Sequence, residues 1–271
     1  MKRKYLFFGK YRDIRKLKIG LSLSGGGALG GYHVGVLKYL EEVNANICSI
    51  AGSSIGAFVG ALYAGGVMVD RMIEIAKDID WYDVAKIKFS KYGLISNEKL
   101  GKILRNELGH NSFEKLKKKF FAVAVDIVKN KKIVFSSGEL DKAVMGSSAI
   151  PGIFIPVEAE GMLLIDGGTL ENMPISPLLD AKLNLDLLIG VDLNASPYLR
   201  RPENIVELVV NAIHLAIFKQ NERDLKKLDI ILQPDLSDYS PVDIDKLDEL
   251  IEKGYSEAKN IFEKEFEIAK S

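Results

Sequence analysis

The sequence is poor in the residues that build metal and disulfide sites. It has one cysteine, Cys48, and three histidines among 271 residues, which excludes a disulfide framework and a cysteine-built zinc or iron–sulfur site. Lys and Arg number 37 and Asp and Glu also number 37, so the basic excess typical of nucleic-acid-binding proteins is missing. No apolar run reaches the roughly 18 residues of a membrane-spanning helix. We expect no metal, no cofactor and no nucleic-acid partner.

The composition that remains is that of a globular protein. Apolar residues make up 47% and charged residues 27%, which excludes general disorder, and the length suits one large domain. Residues 1–18 form a basic, aromatic leader, interpreted either as a patch for an anionic membrane surface or as a solvated segment that packs its aromatics on the domain. Its apolar stretch is too short for a secretory signal, so a cytoplasmic location is expected, with peripheral membrane contact as an option.

Strand and helix patterns alternate along the chain. Apolar positions 19, 21 and 23 predict a strand, and residues 32–43 predict a helix. The pattern predicts further strands at 47–51, 121–128, 132–135, 163–165 and 187–191, and further helices at 57–63, 69–79, 98–108, 205–218 and 244–268. This succession is typical of an α/β fold with a mostly parallel central sheet. We divide it into the leader, a core at 19–193 and a helical part at 194–271 packed on the same domain.

A glycine-rich loop joins the first strand to the first helix. Gly25, Gly26, Gly27 and Gly30 lie in it, and such a loop aims several N–H groups at one point at a helix N-terminus. It predicts a site for an anion or an oxyanion, with a tight structural turn as the alternative. The spacing also fits a dinucleotide-binding motif, but the next strand ends without the carboxylate that would hold a ribose.

A second motif follows the second strand. Gly52, Ser54 and Gly56 form a G-x-S-x-G sequence between a strand and a helix, the context in which a nucleophilic serine is presented on a sharp turn. The N–H group of Ile55 would then be an oxyanion donor. The alternative for Ser54 is a helix N-cap.

A serine nucleophile needs a base, and the histidines are poorly placed for that role. His33 lies in the first helix, His110 in a loop, and His214 in an apolar helix. Only His214 could complete the usual Ser–Asp–His order.

A carboxylate is the better candidate for the base. Asp166 ends a buried strand and is followed by Gly167 and Gly168, which clear space around it. Ligands of α/β sheets bind at such strand ends. Asp126 and Asp192 also follow strands, with loop bracing as their alternative role.

Four motifs in this order resemble the patatin-like phospholipases, a group similar to cytosolic phospholipase A2. They are the glycine loop at 25–30, the serine motif at 52–56, the block at 147–157 (SSAIPGIFIPV) and Asp166-Gly167-Gly168 followed by Asn172 and Pro174. The resemblance covers roughly residues 19–193. It implies a three-layer α/β/α sandwich of the patatin type.

The resemblance also implies a Ser–Asp dyad without histidine. Ser54 would be the nucleophile, Asp166 the base, and the N–H groups of Gly25, Gly26 and Gly27 the oxyanion hole. Members of the family often have Arg or Lys where this chain has Leu29, which puts any role of a cation there in doubt. The implied activity is that of a serine lipid acyl hydrolase: a phospholipase A, lysophospholipase or carboxylesterase acting through an acyl-enzyme.

Two other functions stay open at this point. An acyltransferase could use a similar serine motif, and a non-enzymatic regulator could keep the glycine loop to hold an anion or dinucleotide. The segment at 67–118 is interpreted either as a lid or acyl groove or as ordinary packing. The sequence does not indicate chain length, headgroup, position of attack or oligomeric state.

Overall fold

The structure is a computed structural model that describes residues 13–78, 93, 95–196, 201–203, 205–220, 225–242 and 245–266. Residues 1–12 of the leader, and residues 79–92 and 94 of the segment at 67–118, therefore lie outside the described residues. Within the helix at 205–220 the side chains of Val206, His214 and residues 217–220 are likewise not described.

The described strands form one mixed sheet of eight strands. They are β1 (Ile19–Leu23), β2 (Ile47–Ser53), β3 (Lys119–Asp126), β4 (Lys131–Phe135), β5 (Val157–Ala159), β6 (Met162–Asp166), β7 (Leu187–Val191) and β8 (Ile230–Leu232). The strand order is β5-β6-β3-β2-β1-β7-β8, and β4 also pairs with β3.

Helices cover both faces of this sheet. The described α-helices are α1 (Gly31–Glu42), α2 (Ile55–Gly65), α3 (Val69–Asp78), α4 (Glu98–Leu108), α5 (Leu140–Ser147), α6 (Gly168–Glu171), α7 (Ser176–Asp180), α8 (Ile205–Gln220) and α9 (Leu247–Glu265). None of these helices is long and apolar enough to cross a membrane.

Two of the central strands, β1 and β7, are buried along their whole length. Every residue of β1 and of β7 is buried, although Gly20 and Ser22 interrupt the apolar pattern of β1. Strands that are covered on both faces are typical of parallel sheets between helical layers. The predicted α/β fold is therefore confirmed. The helices that connect the parallel strands lie on the faces of the sheet.

The described residues form one large hydrophobic core and two smaller ones around the sheet. The large core joins the sheet to α1, α2 and α9, and in it the ring of Tyr39 stacks on that of Phe262 at 6.2 Å between centroids. One of the smaller cores packs Leu178 of α7 against Phe121 and Leu188 on the opposite face of the sheet. Helix α9 therefore packs its apolar side against α1.

The sheet is less uniformly parallel than the sequence predicts. Pairs β1–β2, β2–β3, β1–β7 and β7–β8 are parallel, but β3–β4, β3–β6 and β5–β6 are antiparallel. Local periodicity predicts a strand without predicting its direction. Strand β6 therefore carries Asp166 into the sheet from the opposite direction to β2.

Strands β2 and β6 meet end to end along one edge of β3. Strand β4 occupies the other edge from Ala122 to Asp126. On the shared edge Ser53, the last residue of β2, pairs with Val123. Asp166, the last residue of β6, pairs with the next residue, Ala124. The residues that follow the two strand ends are thus brought to the same place.

Candidate active site

Ser54 lies at the sharp turn between β2 and α2. Its backbone has φ 53° and ψ −125°, a conformation that is strained for a residue with a side chain and that marks functional turns. Its N–H group donates to Ser147 Oγ at 2.9 Å, and its carbonyl accepts from the amides of Ala57 and Phe58. Ser54 occupies the N-cap position, but its side chain makes no capping hydrogen bond. Its hydroxyl is therefore not used to cap the start of α2.

The turn is packed so tightly against β1 that only glycine fits at one of its positions. A Cβ atom on Gly56 would lie 2.3 Å from the carbonyl oxygen of Leu23 and 2.6 Å from that of Ser24. Gly56 therefore allows the start of α2 to pack against the end of β1. This packing also fixes the position of Ser54, which directly precedes α2.

Asp166 lies beside this turn and is as buried as Ser54. The two residues are 7% and 8% exposed. Oδ1 of Asp166 accepts from the Gly168 amide at 2.7 Å. Oδ2 is buried without a partner of ordinary hydrogen-bond geometry among the described residues. One oxygen is thus fixed, and the other is open to receive a proton.

Burial also makes Asp166 a stronger base than an ordinary aspartate. Desolvation raises the pKa of its carboxyl from 3.8 to about 6, while hydrogen bonding from the Ser54 hydroxyl and the Gly168 amide acts in the opposite direction. A carboxyl with a raised pKa close to a serine hydroxyl is suited to proton transfer.

The other two strand-end aspartates brace loops. Oδ1 of Asp126 accepts from the Val128 amide at 3.1 Å. Oδ1 of Asp192 accepts from the Asn194 amide at 3.0 Å. These contacts agree with the structural alternative considered for both residues.

The glycine loop lies between the serine turn and the C-terminal part of the chain. The Gly25 amide donates to the Asn172 carbonyl at 3.2 Å, so an oxyanion could use Gly25 only by displacing that carbonyl. The amides of Gly26, Gly27 and Ile55 have no acceptor within the described part of the chain. Among the described residues the unengaged donors of the predicted set are therefore those three, whereas the Gly25 amide anchors the loop.

Contacts from distant parts of the sequence hold this loop. The Ala28 amide donates to the Pro241 carbonyl at 2.8 Å. Asn194 Nδ2 donates to the Gly25 carbonyl at 2.7 Å. Gly27 has φ +58°, and a Cβ atom there would lie 2.4 Å from the Pro241 oxygen. A side chain at this position would thus be both strained and obstructed.

His33 braces the loop from below. It is fully buried, and its Nε2 lies 2.8 Å from the Ser24 carbonyl, to which it donates as the neutral tautomer. Burial lowers the pKa of its ring to about 4. His33 is accordingly neutral near pH 7, and the hydrogen bond from Nε2 holds the residue at which the loop begins.

The other two histidines give no support to a triad. His110 Nδ1 accepts from the Ser112 amide at 3.4 Å, next to the end of α4. The side chain of His214, in α8, lies outside the described part of the structure.

Leu29 takes the place of the cation found in many members of the resembled family. It is 3% exposed and belongs to the large core. The loop is therefore braced here by apolar packing. The side chain of Ile55 also lies against Gly30, where a Cβ atom would be 2.4 Å from Ile55 Cγ1.

Sequence reasoning proposed Ser54 and Asp166 as the reacting residues and missed the groups that hold the turn and the loop around them. Ser147, Asn194 and Pro241 hold the serine turn and the glycine loop. Ser147 opens the 147–157 block, so its position in a motif was a usable signal. Asn194 and Pro241 lie in no motif. Among the described residues no group of three or more His, Cys, Asp or Glu side chains could hold a metal ion.

Comparison with known proteins places this geometry in a family. The sequence model of the patatin-like phospholipases matches residues 21–179. An uncharacterized NTE family protein of Mycobacterium bovis is 38% identical over 182 residues, which cover 66% of this chain and 50% of the relative. Lysophospholipase nte1 of Aspergillus fumigatus is 25% identical over 279 residues, covering 91% of this chain and 18% of the relative. The chain thus spans half or less of the length of these curated relatives.

Two solved structures share the fold. VipD from Legionella pneumophila superposes with a TM-score of 0.60 at 14% identity, covering 92% of this chain and 67% of that one. ExoU from Pseudomonas aeruginosa, solved in complex with SpcU, superposes with a TM-score of 0.52 at 15% identity, covering 93% of this chain and 53% of that one. At such identities the likeness concerns the fold alone.

Proposed function

Because the chain belongs to the patatin-like phospholipase family, we propose that it is a serine lipid acyl hydrolase in which Ser54 and Asp166 form the catalytic dyad. The observation that carries the proposal is the end-to-end meeting of β2 and β6 on β3, with Ser53 and Asp166 paired to consecutive residues. The substrate class is a carboxylic ester of a lipid. A lysophospholipid is the first candidate, since a relative carries the name lysophospholipase.

The first step acylates Ser54. Its hydroxyl proton moves to Oδ2 of Asp166 while Oγ attacks the ester carbonyl, so one C–O bond forms as the carbonyl becomes an oxyanion. The oxyanion then collapses, the ester C–O bond breaks, and Asp166 returns the proton to the departing alcohol. Oδ1 stays on the Gly168 amide at 2.7 Å and keeps the carboxylate oriented.

The oxyanion is held by backbone amides. The donors free to do so are those of Gly26, Gly27 and Ile55. Removing a single such donor in serine hydrolases costs about 3 kcal/mol of transition-state stabilisation. The anchors on Ser24, Gly25 and Ala28 matter because they fix the donors before the charge develops.

The second step is hydrolysis of the acyl-enzyme. Asp166 accepts a proton from water, the hydroxide oxygen adds to the acyl carbonyl, and collapse of the new oxyanion releases the fatty acid. Asp166 gives the proton back to Ser54. In each step Asp166 first acts as a base, when it accepts the proton, and then as an acid, when it returns the proton.

The test compares four proteins on a short p-nitrophenyl ester and on a lysophospholipid: wild type, Ser54→Ala, Asp166→Asn and Asp126→Asn. Asp126 is a matched control because it is also a buried aspartate at a strand end. We expect Ser54→Ala and Asp166→Asn to lose at least about a thousandfold in kcat, with Asp126→Asn close to wild type. Full activity in a folded Asp166→Asn protein would refute the dyad.

The pH dependence gives a second test. Burial raises the pKa of Asp166 to about 6, and the base must be ionised, so kcat/KM should fall about tenfold per pH unit below pH 6. A profile that stays flat to pH 4 would exclude Asp166 as the base.

A further inference from the structure

Asn172 carries a buried hydrogen-bond donor that the fold does not use. The residue directly follows α6 and is 3% exposed. Its Nδ2 atom is buried and has no hydrogen-bond partner among the described residues. A buried donor without an acceptor destabilises a fold, and native structures keep few of them. An acceptor brought by a bound substrate would satisfy this donor.

The side chain of Asn172 lies next to the proposed nucleophile. A Cβ atom placed on Gly25 would be 2.5 Å from Asn172 Oδ1 and 3.1 Å from the Cβ atom of Ser54. The amide group of Asn172 and the side chain of Ser54 therefore lie close together, on the same side of Gly25.

This contact also explains why residue 25 is a glycine. Unlike Gly27, Gly25 does not have φ in the left-handed region, so its backbone conformation does not by itself require glycine. Its amide donates to the Asn172 carbonyl at 3.2 Å and is not available to an oxyanion. Glycine is needed at this position because the Asn172 amide group occupies the space that a side chain would fill.

Helix α6 connects Asn172 to the proposed base and is held at both ends. At its start the Gly168 amide donates to Asp166 Oδ1 at 2.7 Å. At its end Glu171 Oε2 accepts from Lys132 Nζ at 2.6 Å. The Asn172 side chain is thus fixed before a substrate binds, which is the condition under which a donor stabilises a transition state most effectively.

We propose that Asn172 is a further catalytic residue, whose Nδ2 donates a hydrogen bond to the oxyanion that forms on the ester carbonyl. This assignment rests on the proposed function. The Asn172 carbonyl withdraws the Gly25 amide from the oxyanion hole, and the side chain of the same residue supplies a donor in its place. A side-chain amide can serve as such a donor in a serine hydrolase. The proton stays on Nδ2 throughout, so the hydrogen bond only strengthens as the negative charge develops.

The test compares Asn172→Ala with Asn194→Ala as the matched control. Asn194 is also 3% exposed and also contacts Gly25, but its Nδ2 already donates to the Gly25 carbonyl at 2.7 Å. We expect Asn172→Ala to lower kcat about a hundredfold or more and to leave KM within about threefold of wild type, because the donor acts in the transition state. If Asn172→Ala does not fold, Asn172→Asp decides, since it keeps the shape, replaces the donor by an acceptor, and should lose as much in kcat.

Urea unfolding separates a catalytic role of Asn172 from a structural one. Its Nδ2 makes no hydrogen bond in the fold, so the urea midpoint of Asn172→Ala should stay close to that of wild type. Asn194→Ala removes a donor that the fold uses and should lower the midpoint. If Asn172→Ala lowers kcat only in proportion to a lowered midpoint, as a structural residue would, the assignment is refuted.

A trifluoromethyl ketone with an octyl chain makes the test independent of turnover. When Ser54 Oγ adds to its carbonyl carbon, the hydroxyl proton passes to Asp166 and the ketone oxygen becomes an oxyanion that cannot collapse by losing an alcohol. The ketone is titrated calorimetrically into wild type, Ser54→Ala, Asn172→Ala and Asn194→Ala.

The outcomes distinguish the donor from the proposed hydrolase. Binding that Ser54→Ala abolishes and Asn172→Ala weakens about a hundredfold supports the donor even if no ester is hydrolysed. An active enzyme whose kcat and ketone affinity are unchanged in Asn172→Ala refutes the donor and leaves the hydrolase standing. A wild type that neither hydrolyses esters nor binds the ketone refutes both.

Discussion

Replacing Asp166 with asparagine is expected to make the protein inactive and more stable at the same time. Burial raises the pKa of the Asp166 carboxyl from 3.8 to about 6, so above pH 6 the fold holds a carboxylate that water would solvate better. Asparagine keeps an oxygen for the Gly168 amide, which now lies 2.7 Å from Oδ1, and carries no charge. The change therefore removes a desolvation cost together with the proposed base.

The size of the effect follows from the pKa shift. About two pKa units at 1.36 kcal/mol each correspond to ~3 kcal/mol of unfolding free energy. The folded pKa lies above the unfolded one, so the folded state binds the proton more tightly and this contribution grows as pH falls from above 6 towards 3.8. Wild type regains about 1.4 kcal/mol by pH 5. The advantage of Asp166→Asn should thus be ~3 kcal/mol at pH 8 and about half of that at pH 5.

Urea unfolding of wild type and Asp166→Asn at the two pH values measures this difference. Acidification also destabilises both proteins through His33, whose pKa burial lowers to about 4, because its ring must stay neutral in the fold. That effect is common to both proteins and cancels in the difference. An advantage that is absent at pH 8, or equal at both pH values, would refute the argument that Asp166 is held as a desolvated carboxylate.

Three further substitutions test the parts that surround the dyad. Ser147→Ala removes the acceptor of the buried Ser54 amide, which lies 2.9 Å from Ser147 Oγ. We expect kcat to fall by about tenfold or more and the free energy of unfolding by about 1–3 kcal/mol. Unchanged kinetics would contradict this role of Ser147. Gly27→Ala places a Cβ atom 2.4 Å from the Pro241 oxygen and should lower kcat/KM at least about tenfold, whereas Gly161→Ala, with positive φ but open space, should leave kcat/KM unchanged. Phe262→Ala, at a fully buried position, should cost about 3–5 kcal/mol in urea unfolding; a loss below about 1 kcal/mol would mean that α9 contributes little to the core.

The residues of the site could be predicted because their chemistry is local. A glycine-rich turn, a serine between glycines and an aspartate before two glycines each occupy a few consecutive residues, and the strands and helices around them have clear periodicity. The predicted strand at 187–191 coincides with β7 (Leu187–Val191). Such features depend only on residues close together in the chain, so they can be recognised from the sequence alone.

The geometry of the site could not be predicted because it depends on distant partners. The rule for parallel sheets pointed to Asp166, but β6 is antiparallel to β3. The residues of the proposed dyad are brought together because β2 and β6 abut along one edge of β3. The sequence likewise gives no sign that the Gly25 amide donates to the carbonyl of Asn172, which lies far along the chain. No periodicity in the sequence specifies such pairings.

The contact of the Ala28 amide with the Pro241 carbonyl at 2.8 Å also sets the order in which the site is completed during synthesis. The family model ends at residue 179, and by then Ser54 and Asp166 have both been made. The segment that holds the glycine loop, and α9, which packs on α1, come only later. Since a chain is made from its N-terminus and domains fold as their parts become available, the proposed nucleophile is synthesised well before the glycine loop is fixed. We therefore expect the proposed activity to emerge only after Pro241 and α9 have folded back onto the glycine loop and α1.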